Sequence, residues 1–223
     1  LKIAIKKINE IKKRKNIPIL VGGTGLYFKA ITEGLVEIPT IPIKFRNKIR
    51  SLQKSIGQEK FFKKLLKIDP PIVNQINSTD TQRSIRAYEV KLFTKKSITE
   101  WYKSTKSKFK KKELLKLYIE HPRSELIEKI NLRTKEMIDG DVVLEVKRFL
   151  KLKISKNKSI YRAIGVAEIK DFIKKKIDKD EVIEKISIKT RQYAKRQVTW
   201  ARGHMASWKI IKPKRLNSFL KKI

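Results

Sequence analysis

The stretch "PILVGGTGLYFKAITEGL", from Pro18 to Leu35, decides the fold. Its glycines follow "IPILV" (Ile17 to Val21), a short continuous apolar run of the kind that forms a strand buried on both faces. After the glycines, apolar residues recur at helical spacing from Leu26 to Ile31, until Gly34 ends the helix. A buried strand, a glycine turn and a helix indicate a piece of an α/β layer, in which ligands bind beyond the carboxyl ends of the strands.

The four residues "GGTG" (Gly22 to Gly25) fit two structures, a loop that approaches a phosphate or a tight turn between packed elements. A Walker A loop needs a lysine directly after its last glycine, followed by Ser or Thr. The chain contains neither GxxxxGK[ST] nor the dinucleotide fingerprint GxGxxG. The residue pattern therefore favours the tight turn, in which Thr24 offers a hydroxyl to a substrate at the end of the strand.

The net charge of the chain is extreme. It contains 57 Lys and Arg residues but only 22 Asp and Glu residues, which gives +35. Clustered cations predict a polyanionic partner, since binding releases the counterions of its phosphates. A lysine-rich background composition predicts the same total, so the sparser arginines are more informative. Cysteine is absent, which excludes disulfides and thiolate-bound metals and suits a cytoplasmic protein. No apolar run approaches the roughly 20 residues that span a bilayer.

Helical patterns dominate the chain around this motif. An amphipathic stripe from Leu1 to Ile11 predicts a first helix, which Asn16 ends. From Pro39 to Trp101 no strand signal appears, and three helical stripes are separated by Gly57 and by "DPP" at residues 69–71. Ser78, Thr79 and Asp80 are N-cap candidates for the third of these helices. This part of the chain therefore reads as an all-helical insertion.

The second half of the chain begins with a lysine-rich segment, Lys103 to Lys112, which predicts a mobile loop. The elements predicted after it are a strand over Leu114 to Glu120, helices through Leu126 to Met137 and Val142 to Phe149, a polar connector "KLKISKNKS" over Lys151 to Ser159, and a long helix from about Glu181 to Arg202 that stops at Gly203.

Five blocks of this sequence resemble, in order, the motifs of the tRNA dimethylallyltransferases, also called tRNA isopentenyltransferases. They are "PILVGGTGLYFKAITEGL", "DTQRSIRAYEV" (Asp80 to Val90), "HPRSELIEKINLRTKEMI" (His121 to Ile138), "YRAIGVAEI" (Tyr161 to Ile169) and "TRQYAKRQVTWAR" (Thr190 to Arg202). The blocks cover the chain nearly end to end, and the last one is highly specific to the family.

The resemblance implies an α/β fold with a partial P-loop-NTPase-like parallel-sheet core, an all-helical insertion domain and a helical C-terminal region. It divides the chain into part of the core at residues 1–38, a tRNA-binding insertion at 39–101, and the remainder of the core with RNA-binding helices at 102–223. In the family the core binds dimethylallyl diphosphate and the insertion grips the tRNA anticodon stem-loop. The adenosine 3′-adjacent to the anticodon (tRNA position 37) is flipped out of its stack.

The reaction implied by the resemblance is attack of the adenosine N6 on the allylic carbon, which gives N6-isopentenyladenosine and releases pyrophosphate. Mg²⁺ is the expected cofactor, held on phosphate rather than on this chain, and a cytoplasmic monomer is expected. The family's phosphate loop and general-base aspartate have no counterpart in these 223 residues. The sequence therefore predicts a fragment without the N-terminal catalytic third, inactive alone. The alternatives are a non-catalytic RNA-binding remnant and an adenylate isopentenyltransferase that uses free nucleotide.

The resemblance also assigns roles to residues, beginning with Thr24 as the catalytic-site contact to the flipped base. The positions that match tRNA-binding residues of the family are Thr24, Arg46, Gln82, Arg83, Ser84, Ile85, Arg86, Arg162, Ala163, Ile164, Gly165, Val166, Ala167, Lys195, Arg196, Gln197, Val198, Thr199, Trp200, Ala201 and Arg202. Many relatives have "GYR" where this chain has "GVA" at residues 165–167, so a contact at the last two is in doubt. For Arg86 the competing interpretation is a structural pair with Glu89.

Three cations of one predicted helix are candidates for the pyrophosphate. Lys129 and Arg133 lie four residues apart on one face, and Arg123 is a weaker candidate. Surface pairs with Glu125 or Glu136 are the competing interpretation for the first two.

Overall fold

The computed structural model describes residues 1–155 and 158–221. They form two compact units, and each has a hydrophobic core of its own. The first unit comprises Leu1–Val21 with Leu26–Leu114, and the second comprises Gly22–Gly25 with the chain from Leu115 onward. No helix of the described part is both long and apolar enough to cross a bilayer.

The first unit is helical, which agrees with the helical patterns predicted for residues 1–11 and 39–101. Its helices are α1 (Lys2–Lys13), α2 (Gly25–Thr32), α3 (Ile43–Ile68), α4 (Thr81–Thr94) and α5 (Ile98–Lys103), with short 3₁₀ turns at Pro70–Asn74 and Lys111–Glu113. Helix α3 bends at Gly57, which has φ +77° and separates the two predicted helical stripes. Helix α4 is capped by Asp80, whose side chain accepts the Arg83 backbone N–H at 3.0 Å. The lysine-rich segment that follows α5 is irregular up to the second 3₁₀ turn.

The core of the first unit lies where α3 and α4 pack together. Phe61, Leu65 and Ile72 are fully buried, and Val90 faces them from α4. Phe61 and Leu65 alternate with exposed lysines along α3, which is the pattern expected when one face of a helix is removed from water. The predicted helical structure between residues 39 and 101 is thus present, whereas the boundaries of an insertion domain stay a prediction.

The prediction of a buried strand at "IPILV" is wrong. Residues 17–21 form no strand, and the side chains of Ile17, Ile19 and Val21 are 70%, 71% and 91% exposed. A strand needs a neighbour for its backbone N–H and C=O groups. Within residues 1–155 and 158–221, the only two strands pair with each other, so this run has no ladder to join.

The second unit combines a small parallel sheet with helices. Its elements are β1 (Leu117–Ile119), α6 (Arg123–Asp139), α7 (Val142–Lys151), a 3₁₀ turn (Ser159–Arg162), α8 (Val166–Ile173), α9 (Lys179–His204), β2 (Lys209–Ile211) and α10 (Pro213–Leu220). Strands β1 and β2 run parallel in the register Leu117 to Lys209. The predicted strand and long helices are present, although α9 continues through Gly203 to His204. The predicted polar connector includes residues 156–157, which lie outside the described residues.

Helix α9 organises the second unit. It begins with a capping box, in which Asp178 accepts the Glu181 N–H at 2.8 Å and the Glu181 carboxylate accepts the Asp178 N–H at 3.2 Å. Val182 and Ile186 lie in the core with Ile169 of α8. The C-terminal half of α9 therefore extends from a well-packed base.

Candidate nucleic-acid interface

The "GGTG" turn lies against the C-terminal half of α9. A methyl group in place of the Gly25 hydrogen would lie 2.0 Å from the Trp200 ring, and one at Gly23 would lie 2.3 Å from the Gln197 side-chain nitrogen. Contacts this short do not occur in folded proteins. The rigid Trp200 ring therefore requires glycine at position 25, whereas the end of the Gln197 side chain can move aside at position 23. The turn is packed closely on a helix, as the residue pattern favours.

Thr24 lies in the same turn. The residue stands between Gly23 and Gly25, is exposed, and immediately precedes α2. Within the described part of the chain its hydroxyl has no hydrogen-bond partner, so it is available to a substrate. Its contact to a flipped base stays a prediction.

The predicted RNA-binding segment of α9 divides into two faces. Gln197 and Trp200 are half-buried and support the turn, and Ala201 is buried. Trp200 also stacks on His204 with ring centroids 4.3 Å apart. The exposed face carries Lys195, Arg196, Thr199 and Arg202, with the Arg196 guanidinium 5.8 Å from the Tyr193 ring centroid. We therefore assign any phosphate contact of this segment to the exposed face.

The predicted RNA-binding segment at the start of α4 also has exposed and buried side chains. Gln82 and Arg83 are exposed, and the Arg83 guanidinium donates to the Asp80 carboxylate at 2.6 Å. Ser84 and Ile85 are buried, and the Ser84 hydroxyl donates to the Asp80 carbonyl at 2.7 Å. The side chains of Ser84 and Ile85 therefore face the core, and a tRNA contact by the five-residue segment stays a prediction.

Arg86 and Arg46 converge on one carboxylate. Glu89 lies buried at the centre of α4, and its Oε2 is 3.3 Å from Arg46 Nε and 3.5 Å from Arg86 Nη1. Arg50 joins from α3, with its Nε 3.8 Å from Glu89 Oε1. The competing interpretation of Arg86 as a structural partner of Glu89 is thus observed. The sequence analysis missed Arg50 and the central role of Glu89.

The predicted tRNA-facing loop at residues 162–167 is partly helical. Arg162 ends a 3₁₀ turn, and Val166 and Ala167 form the first turn of α8, which corrects the loop assignment for those two. Between them, Ala163 and Ile164 are exposed and Gly165 has φ +101°, a conformation that favours glycine.

Glu168 holds this turn in place. Its Oε2 accepts the Gly165 N–H at 3.0 Å, and its Oε1 pairs with Lys189 of α9. Burial raises the pKa of Glu168, but the hydrogen bonds and positive charge around it outweigh burial and hold the pKa below its ordinary value. The carboxylate is therefore a charged anchor, which the sequence analysis also missed.

The three pyrophosphate candidates do not form one site. Arg123 begins α6 and Arg133 lies ten residues later, which at 1.5 Å per residue separates them by about 15 Å along the helix. Lys129 Nζ lies 3.3 Å from His121 Nε2, and His121 Nδ1 lies 3.9 Å from Glu125. Arg133 is exposed and has no ion-pair partner among the described residues. Lys129 and Arg133 remain a candidate pair on one face.

The described residues do not supply a protein ligand set for the expected Mg²⁺. Among them no group of three or more His, Cys, Asp and Glu side chains is close enough to hold a metal ion.

Comparison with known proteins identifies the family of the chain. The family model of the IPP transferases matches residues 1–204. The tRNA dimethylallyltransferase of Pelagibacter ubique (strain HTCC1062) is 54% identical over all of this chain, which covers 71% of that relative. The tRNA dimethylallyltransferase of Agrobacterium fabrum (strain C58) is 37% identical over 92% of this chain, which covers 70% of that relative.

Two solved structures resemble the fold. The full-length tRNA isopentenylpyrophosphate transferase of Bacillus halodurans aligns with a TM-score of 0.57 and 28% identity, over 95% of this chain and 65% of its own. A eukaryotic dimethylallyltransferase acting on tRNA aligns with a TM-score of 0.78 and 23% identity, over 98% of this chain and 58% of its own. The chain thus spans roughly 60 to 70% of the proteins it resembles. It belongs to the IPP transferase family.

Proposed function

We propose that this chain acts in tRNA prenylation, as part of an enzyme that moves a dimethylallyl group from dimethylallyl diphosphate to N6 of the adenosine 3′-adjacent to the anticodon. The observation that carries the proposal is the 54% identity to a tRNA dimethylallyltransferase over the whole chain. In this reaction the N6–carbon bond forms as the bond between the allylic carbon and the diphosphate oxygen breaks. The N6 proton passes to a base, and we assign that role to no residue of this chain.

The contribution we propose for this chain is to hold RNA and present the base. The exposed cations of α9 and Arg83 of α4 bind backbone phosphates, since guanidinium groups bind phosphate oxygens in pairs. Thr24, which lies exposed between Gly23 and Gly25, contacts the extruded adenosine. Extrusion is required because N6 is not accessible in a stacked loop.

The finer parts of the proposal are the anticodon stem-loop as RNA partner, dimethylallyl diphosphate as donor, diphosphate-bound Mg²⁺ as cofactor, a monomeric state and a cytoplasmic location. They rest on the family resemblance. An adenylate isopentenyltransferase is the rival enzyme. The packed helices α3 and α4 with their exposed arginines favour tRNA, since a mononucleotide needs no such surface.

The experiment measures binding and transfer separately. A labelled anticodon stem-loop is titrated with the 223-residue chain, and transfer from radiolabelled dimethylallyl diphosphate is assayed with the chain and with the full-length product of its gene. We expect the stem-loop to bind more tightly than a scrambled hairpin of equal length. We expect transfer only by the full-length product, and none to a stem-loop with guanosine in place of the target adenosine.

Other outcomes separate the alternatives. Transfer to free AMP at a comparable rate supports the adenylate enzyme. Binding without transfer by the full-length product supports a non-catalytic RNA-binding protein. Equal binding of the stem-loop and the scrambled hairpin contradicts the proposal.

A further inference from the structure

The cluster around Glu89 holds three arginines about one buried carboxylate. The Glu89 side chain is 1% exposed, whereas those of Arg46, Arg50 and Arg86 are 36%, 47% and 39% exposed. Two of the arginines come from α3 and the third lies on α4 beside the glutamate. The guanidinium groups therefore reach solvent, while the buried Glu89 carboxylate holds them in place.

The hydrogen-bonding capacity of this cluster is largely unused. Each guanidinium has five N–H donors, and Glu89 accepts from Arg46 and Arg86 through Oε2 alone. Arg50 is an ion-pair neighbour at 3.8 Å, and the buried Oε1 of Glu89 accepts no hydrogen bond within the described residues. Three cations against one carboxylate leave the cluster with a net charge of +2. Unused N–H donors and a net positive charge are therefore both available to an anion from solvent.

Glu89 explains how three like charges stay together. Guanidinium groups repel one another, and each long side chain loses conformational freedom when it is held. A buried carboxylate offsets the repulsion and is itself tolerated only because cations surround it. The arginines are thus ordered before any ligand arrives, which lowers the entropic cost of binding.

We propose that Glu89 is a positioning residue that holds Arg46, Arg50 and Arg86 as one phosphate-binding cluster for a backbone phosphate of the RNA. The proposal rests on the proposed function, and it adds Arg50 and Glu89 to the predicted RNA-binding residues. Two oxygens of a phosphate can accept two parallel N–H bonds from one guanidinium group, whereas an ammonium group acts only as a point charge.

Substitutions at Arg50 test the cluster by fluorescence anisotropy with a labelled anticodon stem-loop. Arg50→Ala should weaken binding roughly tenfold and reduce the slope of log K against log salt by about one. Arg50→Lys should keep the slope, because the charge remains, yet lose most of the affinity, because the fork is gone. The matched control Lys48→Ala, an exposed lysine of the same helix, should change affinity by less than about twofold.

Glu89→Gln separates positioning from bulk charge. The variant is more positive than the wild-type chain, so a purely electrostatic surface would bind RNA more tightly. Loss of the anchor instead predicts severalfold weaker binding, measured below the melting temperature, with circular dichroism confirming that the helices remain. Tighter binding overturns the proposal. If Glu89→Gln does not fold, the two Arg50 variants still decide.

Two further comparisons distinguish RNA from free phosphate as the ligand, and failure of the cluster proposal from failure of the proposed function. Calorimetric titration of wild type with inorganic phosphate should show no saturable binding at millimolar concentration. Saturable binding that Arg50→Ala abolishes, with RNA affinity unchanged, overturns RNA as the ligand. A stem-loop preference that survives Arg50→Ala and Arg50→Lys at wild-type affinity refutes the cluster and leaves the proposed function standing. An Arg50 effect without any stem-loop preference refutes the proposed function and supports the cluster.

Discussion

At Gly25 the chain has room for a hydrogen atom and none for a methyl group. The obstacle is the Trp200 ring, with atoms 2.0 to 2.5 Å from where a Cβ would lie. Gly25→Ala should therefore lower the free energy of unfolding by about 1–3 kcal/mol, because the ring or the turn must move. Urea denaturation followed by circular dichroism measures the loss.

The control for this substitution is Gly203→Ala, because a Cβ at Gly203 meets nothing within 4 Å. Gly203 is a residue of α9, so alanine there should raise the free energy of unfolding by up to about 1 kcal/mol. Equal stability of Gly25→Ala and wild type would contradict the packing of the turn on Trp200.

Glu168 predicts a pH dependence of stability. Its pKa is lower in the folded state than its ordinary value, so the folded state favours the carboxylate. The resulting stabilisation is fully present above the ordinary pKa and is lost as pH falls through the folded pKa. Wild type should thus lose stability below about pH 4.5 more steeply than Glu168→Gln. Parallel unfolding curves against pH would show that Glu168 is not the anchor of the Gly165 turn.

Among the elements, α3 depends on its bend at Gly57. The residue has φ +77° and ψ 168°, a region that only glycine enters readily, although a Cβ would meet nothing within 4 Å. Gly57→Ala should therefore cost about 1–3 kcal/mol of unfolding free energy from backbone strain alone. Chemical denaturation gives the value. A neutral or stabilising result would mean that residues 43–68 can form one straight helix.

The helices were predictable from sequence because each carries its own signals, such as the Asp80 cap and the Gly57 break. The strands were less predictable from sequence. "IPILV" has the composition of a buried strand, but composition does not say whether a pairing partner is present. Strand β2 is only three residues long, too short for a periodic signal, and it was missed.

The same limit applies to the candidate site. The pair of Arg86 with Glu89 lies within one helical turn and was foreseen as an alternative. Arg46 and Arg50 reach the same carboxylate from 43 and 39 positions away in the chain, and only the packing of α3 on α4 brings them there. Likewise, nothing local indicates that Trp200 and Gln197 support the glycine turn.

At the scale of the whole chain, net charge and exposed apolar surface have opposite effects on self-association. A net charge of +35 keeps molecules apart when salt is low. The exposed side chains of Ile17, Ile19 and Val21, together with nearby Leu20, form an apolar run that attracts other molecules. At about 0.15 M salt the screening length is roughly 8 Å, so added salt weakens the repulsion and leaves the apolar attraction.

The chain should therefore stay dispersed at low salt and self-associate as salt rises, as measured by analytical ultracentrifugation. The double variant Ile19→Ser/Val21→Ser should remain dispersed at the higher salt with an unchanged melting temperature, because these exposed side chains contribute little to folding. The matched control is Ile8→Ser on α1, which is 5% exposed and should melt earlier since its burial is lost. If the double variant associates as readily as wild type, the apolar run is not the surface through which the chains meet.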